Sequence, residues 1–186
     1  SISITPQVAL VVCKEGIAPA LCGALQRRKE TMVLAWTAAA TIRLGQHRET
    51  HRMLRQAGAV SALAMHTRQK SSGKVRLDLM ASIGLAFLSE TGGHDVASFV
   101  PLRAVPELVL MLQRRLAAAG PEEVVEEAMF CGMPFDYRPR FVAQALAALC
   151  EASAAHAATA WQSPLPSILC QLLHGSLPND TDANQP

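Results

Sequence analysis

The amino-acid sequence predicts an all-α fold of stacked helical repeats, and three observations predict it. A heptapeptide occurs twice, Glu15-Gly16-Ile17-Ala18-Pro19-Ala20-Leu21 and Ala57-Gly58-Ala59-Val60-Ser61-Ala62-Leu63, with Gly over Gly and Leu over Leu at an offset of 42 residues. Self-similarity at such a period marks repeat architectures, in which each unit buries its apolar face only against a neighbouring unit. Half of the 186 residues are hydrophobic, only 4% are aromatic and 31 are Ala, a composition that favours helix formation and close helix packing, so little or no strand is expected. Glycine also punctuates both copies at the same place, where a left-handed residue ends one helix and small or apolar residues open the next.

The elements follow in order. Thr5-Pro6 places a capping hydroxyl before a proline at the first helical position, so 6–15 reads as a first helix closed by Gly16. A second helix, about 17–28, carries Ile17, Leu21, Ala24 and Leu25 on one face and stops at Arg27-Arg28-Lys29-Glu30. A third, about 31–44, carries Leu34, Ala35, Ala38, Ala39 and Ile42 at helical spacing and ends at Gly45. The cycle restarts with 47–57, Gly58 and 59–66. A polar turn, Gln69-Lys70-Ser71-Ser72-Gly73, then leads to a helix at 74–89 with Leu77, Met80, Ile83 and Phe87, and Gly92-Gly93 breaks the chain. A weaker third copy, Ala104-Val105-Pro106-Glu107-Leu108, follows at an offset of 45 residues, lacks the glycine and opens a helix at 105–119.

Gly120-Pro121 stops that helix, and an acidic helix starts at Glu122. Segment 130–141 holds four of the eight aromatics and two prolines, so its centre reads as an inserted loop in which Phe135 and Tyr137 either cap the repeats or offer a docking point. Helix 140–151, with Val142, Ala145, Leu146 and Leu149, or helix 122–131 completes this unit. A short helix at 153–161, the break Ser163-Pro164 and a last helix at 165–174 with Leu165, Ile168, Leu169 and Leu172 follow. One repeat domain over residues 1–174 and a flexible polar tail over 175–186 are therefore expected. The chain begins with Ser1 and starts and ends inside the repeat pattern, as a fragment or processed product would.

The net charge of +2 conceals a dipole. Residues 1–76 hold 12 of the 17 Lys and Arg and 3 of the 15 Asp and Glu, a net +9, and residues 77–186 carry a net −7. If turns between second and third helices line up every 42 residues, Arg27, Arg28 and Lys29 stand beside Arg68, Lys70, Lys74 and Arg76, with Arg114 and Arg115 continuing the row. Such a row is either a set of solvated turns or a ridge for an acidic protein segment. Nucleic acid fits less well, because no aromatics are interleaved with these charges to stack on bases.

Chemistry is sparsely signalled. His47 and His51 in His-Arg-Glu-Thr-His share a helix face, but the glutamate that a zinc-protease helix needs directly after the first His is absent, and Glu49 comes one place late. The pair is read as a solvated face shared with Arg48, Arg52 and Arg55, and no metal is expected. The five cysteines are odd in number and have no CxxC spacing, which argues against disulfides and zinc and for a reducing, cytoplasmic setting. Cys13, Cys22, Cys150 and Cys170 are read as small core residues. Cys131 is the one candidate nucleophile, and nothing ties it to His94 or His156. No phosphate loop, paired carboxylates or run of ~18 apolar residues occurs, and Asn179-Asp180-Thr181, formally a glycosylation acceptor, lies in the tail. No catalytic residue and no cofactor are expected.

The repeat resembles the armadillo repeat, whose first helix ends in Gly, whose second opens Gly-apolar-x-Pro/Ser-x-Leu and whose third carries a small-residue face. The resemblance covers most of residues 6–119 and the remainder loosely. It implies a right-handed armadillo-type α-α superhelix of about three repeats plus a partial terminal one. It also implies a non-enzymatic protein-binding scaffold, since members of the family serve as adaptors for unrelated partners. Peptide-carrying members present a ladder of Trp and Asn on successive third helices. Here Trp36 sits where that Trp would fall, but Ala40 occupies the Asn position, so Trp36 is read as a packing residue. Uncapped ends also fit a structural subunit of a larger ciliary or cytoskeletal assembly, or head-to-tail self-association. The competing class is an enzyme using Cys131 or the histidine pair.

Overall fold

Two glycines in the left-handed region divide the chain where the repeated heptapeptide places them. Gly16 has φ 80° and Gly58 φ 86°, a conformation that costs a residue with a Cβ about 1–2 kcal/mol. The computed structural model describes residues 5–68, 76–118, 129–130, 133–134 and 139–173. The first unit contains α1 (Pro6–Lys14), α2 (Ile17–Arg27) and α3 (Thr31–Gly45). Thr5 caps α1 as expected, its hydroxyl accepting from the Val8 amide at 3.4 Å. The second unit contains α4 (Arg48–Gln56), α5 (Ala59–Thr67) and α6 (Leu77–Ala97). Gly93, at φ 63° and ψ −151°, breaks α6 at the expected diglycine, and the short helical piece beyond it leads into the next unit.

There follow α7 (Ala104–Ala118), β1 (Met129–Phe130), β2 (Met133–Pro134), α8 (Pro139–Ala152), α9 (Ala154–Trp161) and α10 (Leu165–Leu173). Among the described residues the fold is all-α apart from the two-residue antiparallel pairing of β1 with β2, which joins Met129 to Pro134 and Phe130 to Met133. Most of the expected acidic helix at 122–131 and the tail at 175–186 lie outside the described residues. Among the described residues no single helix is long and apolar enough to cross a membrane; α1 and α2 together reach that length but are bent by 74°.

Helices 42 residues apart meet in space. α1 packs against α4, α2 against α5 and α3 against α6, while inside each unit α2 packs on α3 and α5 on α6. Further along, α8 packs against α6 and α7, α9 against α7 and α8, and α10 against α9. The most enclosed element is α6, in which every residue from Leu77 to Ser89 is buried. A helix apolar on all sides has no solvent face to present, so it takes the centre. Gly84 makes close approach possible here: a Cβ at that position would lie 2.9 Å from Leu63 Cδ1 and 3.1 Å from Ile42 Cγ1, tighter than a packed core accommodates without shifting. At the other flank Phe87 meets Phe141 of α8 edge to face, with ring centroids 5.0 Å apart.

The structure corrects several expectations of burial. Leu63 is fully buried, but its counterpart Leu21 is only half-buried and Ile17 is exposed, so α2 buries the stripe Ala18, Cys22 and Leu25 instead. The reason is positional: α5 is covered by the first unit, whereas the outer flank of α1 and α2 is open to solvent, with Val8, Val11 and Ile17 exposed. Trp36 is exposed rather than packed inside α3, and on α10 Ile168 is buried, while Leu169, Cys170 and Leu172 face solvent.

Candidate functional site

The expected basic edge is built from helix ends. Because α2 packs on α5, their C-termini come together, and His66 of α5 fastens them by donating from Nε2 to the Leu25 carbonyl of α2 at 3.0 Å. A carbonyl has no proton to give, so this nitrogen carries the hydrogen. Arg27, Arg28 and Lys29 at the end of α2 are exposed, as is Arg68 at the end of α5. Part of this charge serves the helix ends, whose last carbonyls lack intrahelical donors. Arg27 folds back to donate to the Gly23 carbonyl at 3.2 Å. Arg103, which the sequence did not single out, donates to the Thr67 and Arg68 carbonyls at 3.0 and 3.2 Å and so closes α5. Arg28, Lys29 and Arg68 remain as exposed cations on adjoining ends. Lys70 and Lys74 fall outside the described residues, as do Phe135, Tyr137 and Cys131, and so does the side chain of Arg115; Arg114 is exposed on α7.

Arg76 is drawn inward. Its guanidinium donates to both carboxylate oxygens of Asp78, at 3.0 and 2.9 Å, and also to Glu107 of α7. Burial pushes the Asp78 carboxyl up, but Arg76 and the amides of Leu79 and Asp78 outweigh it and hold the carboxyl below the usual range. The three groups tie the start of α6 to the start of α7, so Arg76 belongs to the frame. Neither acidic partner is visible in the basic run itself; the available signal was an acidic residue in the first turn of each of two helices. A comparable pair, Arg48 Nε to Glu90 Oε2 at 2.6 Å, links α4 to α6 across 42 residues.

The histidine pair separates. His51 is 1% exposed, which corrects the solvated reading, while His47 is half-buried. His51 Nε2 lies 2.7 Å from the Gly45 carbonyl and therefore donates to it. That leaves Nδ1 to accept from the Thr91 hydroxyl at 3.0 Å, and the Thr91 oxygen in turn accepts from Arg55. Burial lowers the His51 pKa, against the Gly45 carbonyl and Glu90, which favour the proton, and with Arg55 and Arg48, which repel it. His156 of α9, also buried, repeats the device by donating to the Val100 carbonyl at 2.9 Å, and its Nδ1 has no partner among the described residues. Three histidines thus close carbonyls left open at chain turns and helix ends, a role that composition and spacing do not reveal.

Burial also sets the state of the thiols on α1, α2 and α8. Burial pushes the Cys22 thiol up to about 11, with Cys13 nearby adding to the effect, and burial alone raises Cys13 and Cys150. Such thiols stay protonated at neutral pH and are poor nucleophiles. Among the described residues no group of three His, Cys, Asp or Glu is placed to hold a metal ion. No protein-family model, curated protein or solved structure matches the chain.

Proposed function

We propose that the chain is a right-handed armadillo-type superhelix of about three repeats and a partial fourth, acting without chemistry as a protein-binding scaffold in the cytoplasm. The observation that carries this reading is the pairing of α1 with α4, α2 with α5 and α3 with α6 at the period of the repeated heptapeptide. Units of that kind are equivalent and interchangeable, and they build extended surfaces rather than a single catalytic cleft. The binding surface is the edge carrying Arg28, Lys29 and Arg68, with Arg27 beside it and Lys70 and Lys74 next in sequence. Its partner is a protein with an acidic segment. Exposed cations of this kind add modestly to affinity but raise the encounter rate, and they do so less as salt screens them. A second reading, a structural subunit of a ciliary or cytoskeletal assembly, is favoured by the exposed Val8, Val11 and Ile17 on the first unit.

The test is capture of partners from the native source, followed by association kinetics at rising NaCl with the wild type and an Arg28→Glu, Arg68→Glu double variant. The reading expects an on-rate that falls with salt, and a double variant that binds roughly tenfold more slowly at an unchanged melting temperature. An on-rate indifferent to both salt and charge reversal contradicts it.

A further inference from the structure

The turn that joins α6 to α7, residues 98–103, is pinned by two neighbouring helices and by its own last residue. The Phe99 carbonyl accepts from the buried Thr67 hydroxyl of α5 at 3.1 Å, and the Val100 carbonyl accepts from His156 of α9 at 2.9 Å. Arg103 reaches back to the Thr67 and Arg68 carbonyls, and the Val100 side chain is buried. A turn held in this way keeps one shape. It nevertheless directs two large apolar side chains outward, Phe99 at 42% and Leu102 at 45% exposed. Isolated exposed apolar residues need no explanation, but these two stand at the C-terminus of α5, on the edge where Arg28, Lys29, Arg68 and Arg103 are exposed.

The charge of that edge is set by the side chains themselves. The last carbonyls of α2 and α5 would repel an anion, yet Arg27 covers that of Gly23, and Arg103 covers those of Thr67 and Arg68. Among the described residues no carboxylate forms an ion pair with Arg28, Lys29, Arg68 or Arg103. Glu30, next in sequence to Lys29, accepts from the Lys29 amide at 3.3 Å instead. We infer that Phe99 and Leu102 seat an apolar side chain of the partner's acidic segment, so that this surface takes a peptide in which a leucine or an aromatic residue is flanked by Asp and Glu. This rests on the basic edge proposed above as the binding surface. The cations draw the segment in, whereas the desolvated apolar anchor holds it and fixes its register. A turn already pinned in its bound shape loses little freedom on binding. An anionic lipid surface shares the charge complementarity and fits the shape less well. Side chains more than half covered form a shallow seat, whereas burial in the acyl boundary needs side chains that stand clear of the protein.

Selection from a random peptide library on the intact, immobilised chain tests it, followed by binding kinetics of the enriched peptides at low and high NaCl. The expected peptides combine Asp or Glu with a Leu, Phe or Trp. Phe99→Ser and Leu102→Ser should each weaken their binding roughly tenfold through faster dissociation, with the salt dependence of the wild type retained. Leu102→Met should keep the affinity, and Arg28→Glu combined with Arg68→Glu should slow association and flatten the salt dependence. Thermal melts report whether each variant is folded; if Phe99→Ser melts early, the contrast of Leu102→Ser with Leu102→Met decides alone. Acidic peptides that respond to the charge reversal and ignore Phe99 and Leu102 overturn the inference and leave the basic edge standing. Peptides indifferent to the charge reversal as well remove both. The inference is also overturned if no peptide is enriched, or if phosphatidylserine vesicles bind in place of peptides and the same variants lose them.

Discussion

Replacing His51 by Gln removes a buried imidazole whose two nitrogens are both engaged, Nε2 with the Gly45 carbonyl and Nδ1 with the Thr91 hydroxyl. Loss of one of these bonds in a buried site costs about 1–3 kcal/mol at neutral pH. The pH dependence is the sharper signature. An unfolded histidine titrates near 6.5, and burial holds the folded one lower. Between those two values the unfolded chain binds a proton that the folded chain does not, so stability is full above about pH 6.5 and declines as the pH falls. The slope is at most ~1.4 kcal/mol per pH unit, and the decline ends once the folded pKa is passed. The geometry gives the cause: a protonated Nδ1 would point a second donor at the Thr91 oxygen, which Arg55 already uses. Urea denaturation followed by far-UV circular dichroism at about pH 7.5 and pH 5.5 measures it, and the other histidines cancel between the two proteins. The wild type should lose up to ~1.4 kcal/mol more than His51→Gln over that interval. Equal losses would refute the assignment of a neutral buried imidazole.

Further outcomes follow from single observations. Gly16→Ala and Gly58→Ala should cost similar amounts, about 1–2 kcal/mol each, because both sites have left-handed φ and a Cβ at either meets nothing closer than 3.7 Å; urea melts of the pair check it, and a large inequality would mean that contacts rather than φ decide. Asp78→Asn should cost about 1–3 kcal/mol by removing one charge of the bidentate pair with Arg76. The carboxyl of Asp78 is held low, so its contribution is present above the ordinary Asp pKa near 3.9 and lost as pH falls through the lower folded value. The wild type should therefore lose stability on acidification that the variant has already lost.

Helix boundaries were largely legible because glycine, proline and capping residues act locally: Thr5 caps α1, Gly16 and Gly58 are left-handed, and the diglycine breaks α6. What the sequence did not disclose depends on partners distant along the chain. His51 sits among Arg48, Arg52 and Arg55, a pattern that looks solvated until Gly45 and Thr91 are seen to satisfy the ring. Arg76 read as one more cation in a basic run, and only the arrival of Glu107 beside Asp78 turns it into a link between α6 and α7. Leu21 matched Leu63 by motif, yet burial is a property of the neighbouring layer rather than of the heptapeptide. Periodicity relates Arg28, Lys29 and Arg68 through the ends of α2 and α5, two helices that pack together, but it does not pick out Arg103, whose role is to close the end of α5.

The central claim is that equivalent helices stack layer on layer, and the stability costs of Leu63→Ala and Leu21→Ala, measured by urea denaturation at a concentration where the protein is monomeric, test it most directly. The two leucines occupy the same place in the same heptapeptide and differ in whether a preceding layer covers them. Full burial predicts a cost of about 2–5 kcal/mol for Leu63→Ala, and half-burial about 1 kcal/mol for Leu21→Ala. Equal costs at the two sites, or a cost at Leu63 below about 1 kcal/mol, would contradict the stacked arrangement.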